Sequence, residues 1–162
     1  MTEQRHPVNL TQLGIGVLAL LIGVLLYWLD RPAAQTYFMP ETLSLFRQTP
    51  RLFGSLGNQL PTFLHAFAFC LISAALVSRT RGTALGICLL WAGIDSLFEI
   101  GQHPAVAARL AAAIPAWFAH VPLLDNTRSY FLHGHFDPLD LASILLGAVA
   151  AYGLIMLTRH KA

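Results

Sequence analysis

The chain has 162 residues, of which 56% are hydrophobic and only 11% are charged, with a formal net charge of +2. A soluble domain usually carries about a quarter charged residues, so the composition argues against one. The small net charge and the absence of a basic stripe exclude a nucleic-acid-binding surface. Residues 6–29, 52–78 and 141–158 contain no Asp, Glu, Lys or Arg, and a membrane-spanning helix needs roughly 20 apolar residues. The sequence therefore predicts an integral membrane protein.

The first predicted span covers about residues 11–29. Its apolar run is longer than the core of a usual signal peptide, and it ends in Leu-Asp-Arg-Pro instead of a small-x-small cleavage site. We therefore expect a signal anchor that remains part of the protein. Gly16, Ala19 and Gly23 leave room for a second helix to approach this span closely.

Three further spans, at about residues 60–78, 83–102 and 138–158, complete an all-α protein with four transmembrane helices. Pro61 suits the first position of the second span, because its missing N–H group has no helical partner there. The connections 30–59 and 103–137 are long for structureless loops in a compact domain. We expect both to contain short helices at the membrane interface, with plain ordered loops as the alternative.

The basic residues indicate the orientation of the spans. Five of them lie on the side of the N-terminus, in short segments near the ends of spans: Arg5, Arg79, Arg81, Arg159 and Lys161. The other five lie in the two long connections: Arg31, Arg47, Arg51, Arg109 and Arg128. Charge in short segments near span ends counts most toward the positive-inside rule. We therefore expect both termini in the cytoplasm and both long loops outside.

Polar side chains converge near the external ends of the last three spans. They are His65, Asp95, Glu99, Gln102, His103, Asp137 and Asp140. An ionisable group inside a membrane is costly and suggests a functional site by default. Asp95 and Glu99, four residues apart, share one helix face, and His65, expected in the second turn of its span, is at a compatible depth. The pattern predicts an outward-facing polar cavity, and a network that only ties three helices together is the alternative.

The two aspartates of Phe-Asp-Pro-Leu-Asp-Leu-Ala-Ser have different explanations. Asp137 is a preferred N-cap residue, and Pro138 suits the first helical position after it. Asp140 then falls in the first turn, where a carboxylate is favoured by the positive end of the helix dipole. It also projects along the row that contains Ser143 and Gly147, toward another helix. We interpret Asp137 as a helix cap and Asp140 as either a cap or part of the cavity.

Other residues give weaker signals. His133, His135 and Asp137 alternate along the chain, but a metal site needs three or four ligands in fixed geometry, so we expect no metal and no other cofactor. Cys70 and Cys88 lie in separate spans without motif spacing and are expected to be buried thiols without a disulfide. No phosphate-binding loop, nucleophile elbow or CxxC pair occurs.

Residues 60–153 resemble the VanZ-like family of small bacterial membrane proteins. The residues that carry the resemblance are His65, Glu99, Gln102, Asp140 and Gly147. The chain departs from the family pattern, since it lacks Asp-Lys ahead of the histidine, has Ile144 where an Asn is usual, and lacks an Arg soon after the glutamine. The resemblance implies an envelope-related protein of the bacterial cytoplasmic (inner) membrane. It implies no reaction, because the mechanism of the family is not established.

Four functions are compatible with these residues. The preferred one is a protein whose polar cavity engages a lipid-linked or cell-envelope ligand. An enzyme would use Glu99 or Asp95 as a general base, with His65 as its acid partner, on a lipid head group. A proton-coupled transporter would use the two carboxylates as a relay and would require a homo-oligomer, and a structural subunit would need no ligand. The expected partners are membrane lipids, and nucleic acid is not among them.

Overall fold

The computed structural model describes residues 8–30, 53–54, 56–77, 80–122 and 124–159, and within these ranges all regular secondary structure is helical. The helices are α1 (Leu10–Asp30), α2 (Leu56–Val77), α3 (Arg81–Gly101), α4 (Pro104–Ala113), a 3-10 helix (Ala116–His120), α5 (Thr127–His133) and α6 (Pro138–Thr158). Helices α1, α2, α3 and α6 are long and apolar enough to cross a membrane. The prediction of an all-helical protein with four membrane-length helices is confirmed. Most of the first long connection, with the short helices expected there, lies outside the described residues.

Helix α2 begins at Leu56 and not near residue 60, so Pro61 lies inside the helix. The predicted boundary is wrong because it rests on the proline alone, whereas a distant residue stabilises the additional turn. The Asp30 carboxylate at the end of α1 is buried and accepts a hydrogen bond from the Phe53 N–H group (2.9 Å) just ahead of α2. The longer helix places His65 about one turn deeper than the sequence predicted.

Helix α2 is the centre of the bundle. It packs against α1, α3 and α6, and α3 also packs against α6. The core among α2, α3 and α6 consists of small and aliphatic side chains, including Ala66, Cys70, Cys88 and Ile144. At Gly147 of α6 a Cβ atom would lie 2.5 Å from the backbone carbonyl oxygen of Phe63. The absence of a side chain at this position therefore permits the close approach of α6 to α2.

Asn9 and Gln12 close the end of the bundle that contains the start of α1 and the end of α6. The buried Gln12 side chain donates a hydrogen bond from Nε2 to Thr158 Oγ1 (3.0 Å). The Asn9 side chain donates to the Thr158 carbonyl (2.9 Å), and its N–H group donates to the Ala75 carbonyl (3.1 Å). These contacts satisfy carbonyl groups at the ends of α2 and α6 that have no partner within their own helices.

The connection between α3 and α6 is folded into three short helices. Helix α4 packs against α5 and contacts α3. His103 is the N-cap residue of α4, and its Nδ1 atom accepts a hydrogen bond from the Ala105 N–H group (3.2 Å). Trp117 and Leu110 remain exposed on this segment. The connection thus forms a folded segment that is held against the end of α3.

Candidate functional site at the end of α3 and the starts of α2 and α6

Glu99 joins the end of α3 to the start of α6. Its Oε1 atom accepts a hydrogen bond from the Asp137 N–H group (2.7 Å). Asp137 is the N-cap residue of α6, where its Oδ1 atom accepts a hydrogen bond from the Leu139 N–H group (2.9 Å). Its Oδ2 atom accepts another from Gln59 Nε2 on α2 (3.3 Å). Because charge-assisted hydrogen bonds to backbone N–H groups are strong, these two carboxylates hold three helices together.

Gln102 positions the segment that leads into α6. It is buried at the end of α3, and its Nε2 atom donates a hydrogen bond to the Tyr130 hydroxyl of α5 (2.6 Å). The side-chain oxygen of Gln102 lies directly against Gly134, where a Cβ atom would also come within 2.6 Å of the Tyr130 carbonyl. The last turn of α3 therefore fixes both α5 and the residues after it.

Asp140 joins α6 to α2. The Thr62 hydroxyl donates a hydrogen bond to Asp140 Oδ1 (3.2 Å), and the carboxylate is buried. Asp140 also lies in the first turn of α6, where the helix dipole stabilises a negative charge. Two turns later, Gly147 makes the close backbone contact with α2. Asp140 thus belongs to the same helix interface as that glycine.

His65 on α2 and Asp95 on α3 form a hydrogen-bonded pair deeper in the bundle. Imidazole Nδ1 and carboxylate Oδ2 are 3.2 Å apart, and the side chains are 42% and 10% exposed, respectively. At 1.5 Å per residue, His65 lies about 13 Å from the start of α2, and Asp95 lies about 9 Å from the end of α3. Glu99 and Asp140 lie within the first or last turn of their helices. The pair is therefore separated in depth from the contacts that join the helix ends.

The surroundings of His65 leave one ring nitrogen available. No hydrogen bond links its Nε2 atom to any of the described residues. The Phe69 ring lies 4.5 Å from the imidazole, and Trp91 lies 4.6 Å from Phe69, measured between ring centroids. Trp91 in turn donates a hydrogen bond from Nε1 to Ser73 Oγ (2.9 Å). Since Asp95 fixes the Nδ1 side of the ring, the Nε2 side can bind a ligand or exchange a proton.

The predicted site residues form a series of contacts at different depths. His65 meets Asp95, whereas Glu99, in spite of its position on the same helix face as Asp95, contacts the backbone of Asp137. His103 is exposed just before the start of α4, where its ring lies against Phe136. It therefore makes a cap contact in the connection, apart from the pair.

The histidines near α5 are not arranged around a common centre. His133 is exposed and interacts through Nδ1 with the Ser129 hydroxyl (3.1 Å), and His135 is also exposed. Among the residues that the structure describes, no three His, Cys, Asp or Glu side chains are positioned to hold a metal ion. Cys70 and Cys88 are buried free thiols whose side chains interact with each other across the α2–α3 interface.

Sequence reasoning missed Gln59, Thr62, Tyr130 and Asp30. Gln59, Thr62 and His65 recur at intervals of three residues along α2, and this helical spacing is the signal that would have found the first two. Asp30 ends the first span, but no sequence pattern connects it with the start of α2. Tyr130 has no signal in the sequence, because its contact with Gln102 depends on how the connection folds.

The chain matches no family model, no curated protein and no solved structure. Its own residues define the class of the molecule. Four helices that are each long and apolar enough to cross a bilayer indicate a multi-pass membrane protein. Within it, the His65–Asp95 pair combines a partly exposed imidazole with a mostly buried carboxylate.

Proposed function

We propose that the chain is a VanZ-like protein of the bacterial cytoplasmic membrane that engages a lipid-linked or cell-envelope ligand through His65 and Asp95. The observation that carries the proposal is His65 Nε2, which makes no hydrogen bond to the described residues and belongs to a half-exposed ring held by Asp95. The resemblance of residues 60–153 to the family supports an envelope-related role. The geometry of the pair supports a ligand that reaches it from within the membrane.

The proposed orientation places the paired residues in the outer half of the bilayer. Both termini are cytoplasmic in this arrangement, in agreement with the basic residues at the short turn and the tail. The connection that contains α4, the 3-10 helix and α5 then lies at the outer interface. Trp117 is 57% exposed, and tryptophan is enriched at membrane–water interfaces. Its exposure supports an interfacial position for this connection.

The contacts of the remaining polar residues narrow the proposal to one pair. Glu99, Gln102, Asp137 and Asp140 each accept or donate hydrogen bonds that join helices. Contacts of this kind are sufficient to explain why these residues are polar. Within the part of the chain that the structure describes, the Nε2 side of the partly exposed imidazole has no such explanation. We therefore assign ligand contact to His65, positioning of the ring to Asp95, and support of the helix ends to the other four.

Native mass spectrometry of the detergent-purified protein tests the proposal. We expect a lipid to co-purify with the wild-type chain and to be depleted at least several-fold in both the His65→Ala and the Asp95→Asn variants. His133→Ala is the matched control, since it removes an exposed histidine of α5. The same spectra report whether the chain is a homo-oligomer. Equal lipid occupancy in all four proteins, with unchanged helical circular dichroism, would show that the pair binds no lipid.

An acid–base enzyme that acts on a lipid head group is the second candidate. It is favoured by the Nε2 atom, which bonds to none of the described residues, because a histidine oriented by a carboxylate at Nδ1 is suited to take a proton at Nε2. The test is incubation of the protein in phosphatidylglycerol and phosphatidylethanolamine vesicles, followed by mass analysis of the lipids. A changed head group that depends on His65 would support the enzyme. Unaltered lipids that remain bound would favour the binding protein.

A further inference from the structure

The His65–Asp95 pair lies beside the face of α2 that is left between α1 and α3. Helices α1 and α3 both pack against α2, but their described residues form no packed interface with each other. The face of α2 between them, called the groove below, carries His65, Ile72 and Leu76, which lie seven and four residues apart and therefore share one side of the helix. His65 is half-exposed and Leu76 is exposed on this face. The groove is therefore apolar toward the cytoplasmic side and has one imidazole near its outer end.

The depth of the pair restricts the charge of a ligand. Helices of this length span roughly the thickness of the hydrocarbon core, so lipid phosphates lie near the helix ends. His65 lies about 13 Å from the start of α2, well below that level. A phosphate that descended to the imidazole would have to give up its hydration, which is costly at membrane depth. An uncharged polar group can occupy this position at much lower cost.

The hydrogen bond between His65 and Asp95 determines which polar group is recognised. The pair has no net charge in two forms: an ionised carboxylate beside an imidazolium, or a protonated carboxylate beside a neutral imidazole. In both forms Nδ1 faces Asp95, and a ring proton remains on Nε2. The form that the enzyme candidate requires, an ionised Asp95 beside a neutral imidazole with an unprotonated Nε2, carries a net negative charge, which is disfavoured inside a membrane. His65 therefore presents an N–H donor to the groove, and the ligand must offer an acceptor such as a carbonyl oxygen.

The aromatic side chains beside the pair favour a flat ring. Phe69 lies against the imidazole and Trp91 lies against Phe69, so the imidazole is the first of three adjacent rings. Aromatic rings contact one another favourably in offset or tilted arrangements. The ester carbonyls of ordinary glycerolipids lie near the helix ends and are carried on flexible chains. They therefore match neither the depth of His65 nor the flat rings of Phe69 and Trp91.

We propose that the groove binds an isoprenoid quinone, with a quinone carbonyl accepting a hydrogen bond from His65 Nε2 and the apolar tail lying along α2. Asp95 is a positioning residue that keeps the Nε2–H donor directed into the groove. This assignment rests on the proposed function, because it identifies the ligand of the same pair. No electron transfer is part of it.

Quenching of Trp91 fluorescence tests the assignment. The sequence has three tryptophans, so a Trp28→Phe/Trp117→Phe background leaves Trp91 as the single reporter. The full chain is placed in phosphatidylcholine nanodiscs free of quinone and titrated with decylbenzoquinone. Decylbenzene, which lacks the carbonyls, and decyl phosphate, which carries a charge, are titrated in parallel. We expect saturable quenching by the quinone, and neither saturation nor sensitivity to His65 with the other two probes.

Variants of His65 separate binding from random collision. In His65→Ala, the quinone concentration for half-saturation should rise roughly threefold to tenfold, as for the loss of one hydrogen bond. His65→Gln keeps an amide N–H donor, so its quinone concentration for half-saturation should lie between those of the alanine variant and the wild type. An intermediate value would show that the change in the alanine variant does not come from a general loss of folding. His133→Ala should match the wild type.

The outcomes distinguish this assignment from the proposed function. Quenching that increases linearly with quinone, or that is identical with and without His65, would show that the quinone only collides with Trp91. Saturable, His65-dependent binding of decyl phosphate without quinone binding would refute the quinone assignment and leave a lipid ligand at the pair. If no probe gives a His65-dependent response, and the co-purified lipid is also the same in the wild type and the His65 variants, both the quinone assignment and the proposed function are refuted.

Discussion

A Gly147→Ala substitution should weaken the contact between α6 and α2. The added Cβ atom would lie 2.5 Å from the Phe63 carbonyl oxygen and 3.3 Å from both Ala66 Cβ and Phe67 N. The first of these is a backbone atom and cannot rotate away. Real Cβ atoms essentially never come closer than 3.0 Å to another heavy atom, so the two helices must separate by about half an ångström or more.

Gly153→Ala on the same helix is the matched control, since a Cβ atom at that position meets nothing within 4 Å. Each substitution gains about 0.5–1 kcal/mol of helix propensity, because alanine loses less backbone entropy than glycine. This gain cancels in the comparison. The difference between the two variants then reports the overpacking at Gly147, which is typically about 1–3 kcal/mol.

The free energy of unfolding of both variants can be measured in mixed micelles by titration with dodecyl sulfate, followed by far-ultraviolet circular dichroism. We expect Gly153→Ala to equal or exceed the wild type in stability and Gly147→Ala to fall below it. Equal midpoints for the two variants would mean that α6 does not approach α2 as closely as described, and the helix interface that carries Asp140 and Thr62 would need revision.

Three further predictions concern the polar and thiol groups. Glu99→Gln keeps an acceptor for the Asp137 N–H group and should cost less than about 1 kcal/mol in the same titration, whereas Glu99→Leu leaves that group unsatisfied and should cost about 1–3 kcal/mol; equal losses would exclude the hydrogen bond as the cause. Cys70 and Cys88 should react with a maleimide only after unfolding, because both are buried, and mass spectrometry would detect any premature labelling. The double variant His65→Leu/Asp95→Leu should be as stable as the wild type or more so, and it should no longer bind the proposed ligand; a large loss of stability would instead show that the pair serves to hold α2 and α3 together.

The four spans could be predicted from the sequence because their signal is local. Charge-free apolar runs of sufficient length dictate helices in a membrane, where every backbone group must be satisfied within its own segment. The start of α2 could not be predicted in this way. It depends on the Asp30 carboxylate, which lies beyond a long connection and accepts the Phe53 N–H group. A contact between residues that are far apart in the chain cannot be recognised from the local sequence around either of them.

The sequence predicts which polar residues lie near this end of the bundle, but it does not predict which of them contact one another. The four-residue spacing of Asp95 and Glu99 predicts a shared face on α3. It does not say that one carboxylate meets His65 while the other meets the Asp137 backbone. That division depends on the relative depth of α2 and α3, and an error of about one turn at the start of α2 was enough to obscure it.

The difference in depth also bears on why the polar residues are there. Glu99 and Asp140 lie in terminal turns and are buried, and they satisfy or join groups at the helix ends. At this position a polar contact between helices stabilises the bundle most and has the smallest desolvation cost. A pair placed nearer the middle of the bundle bears a larger cost of desolvation, and polar contacts between membrane helices return on average only about 0.6 kcal/mol. Leucines would fill the same space without that cost. Stability therefore does not explain this pair, whose Nε2 atom bonds to none of the described residues, and His65 and Asp95 are the residues at which the proposed ligand should be sought first.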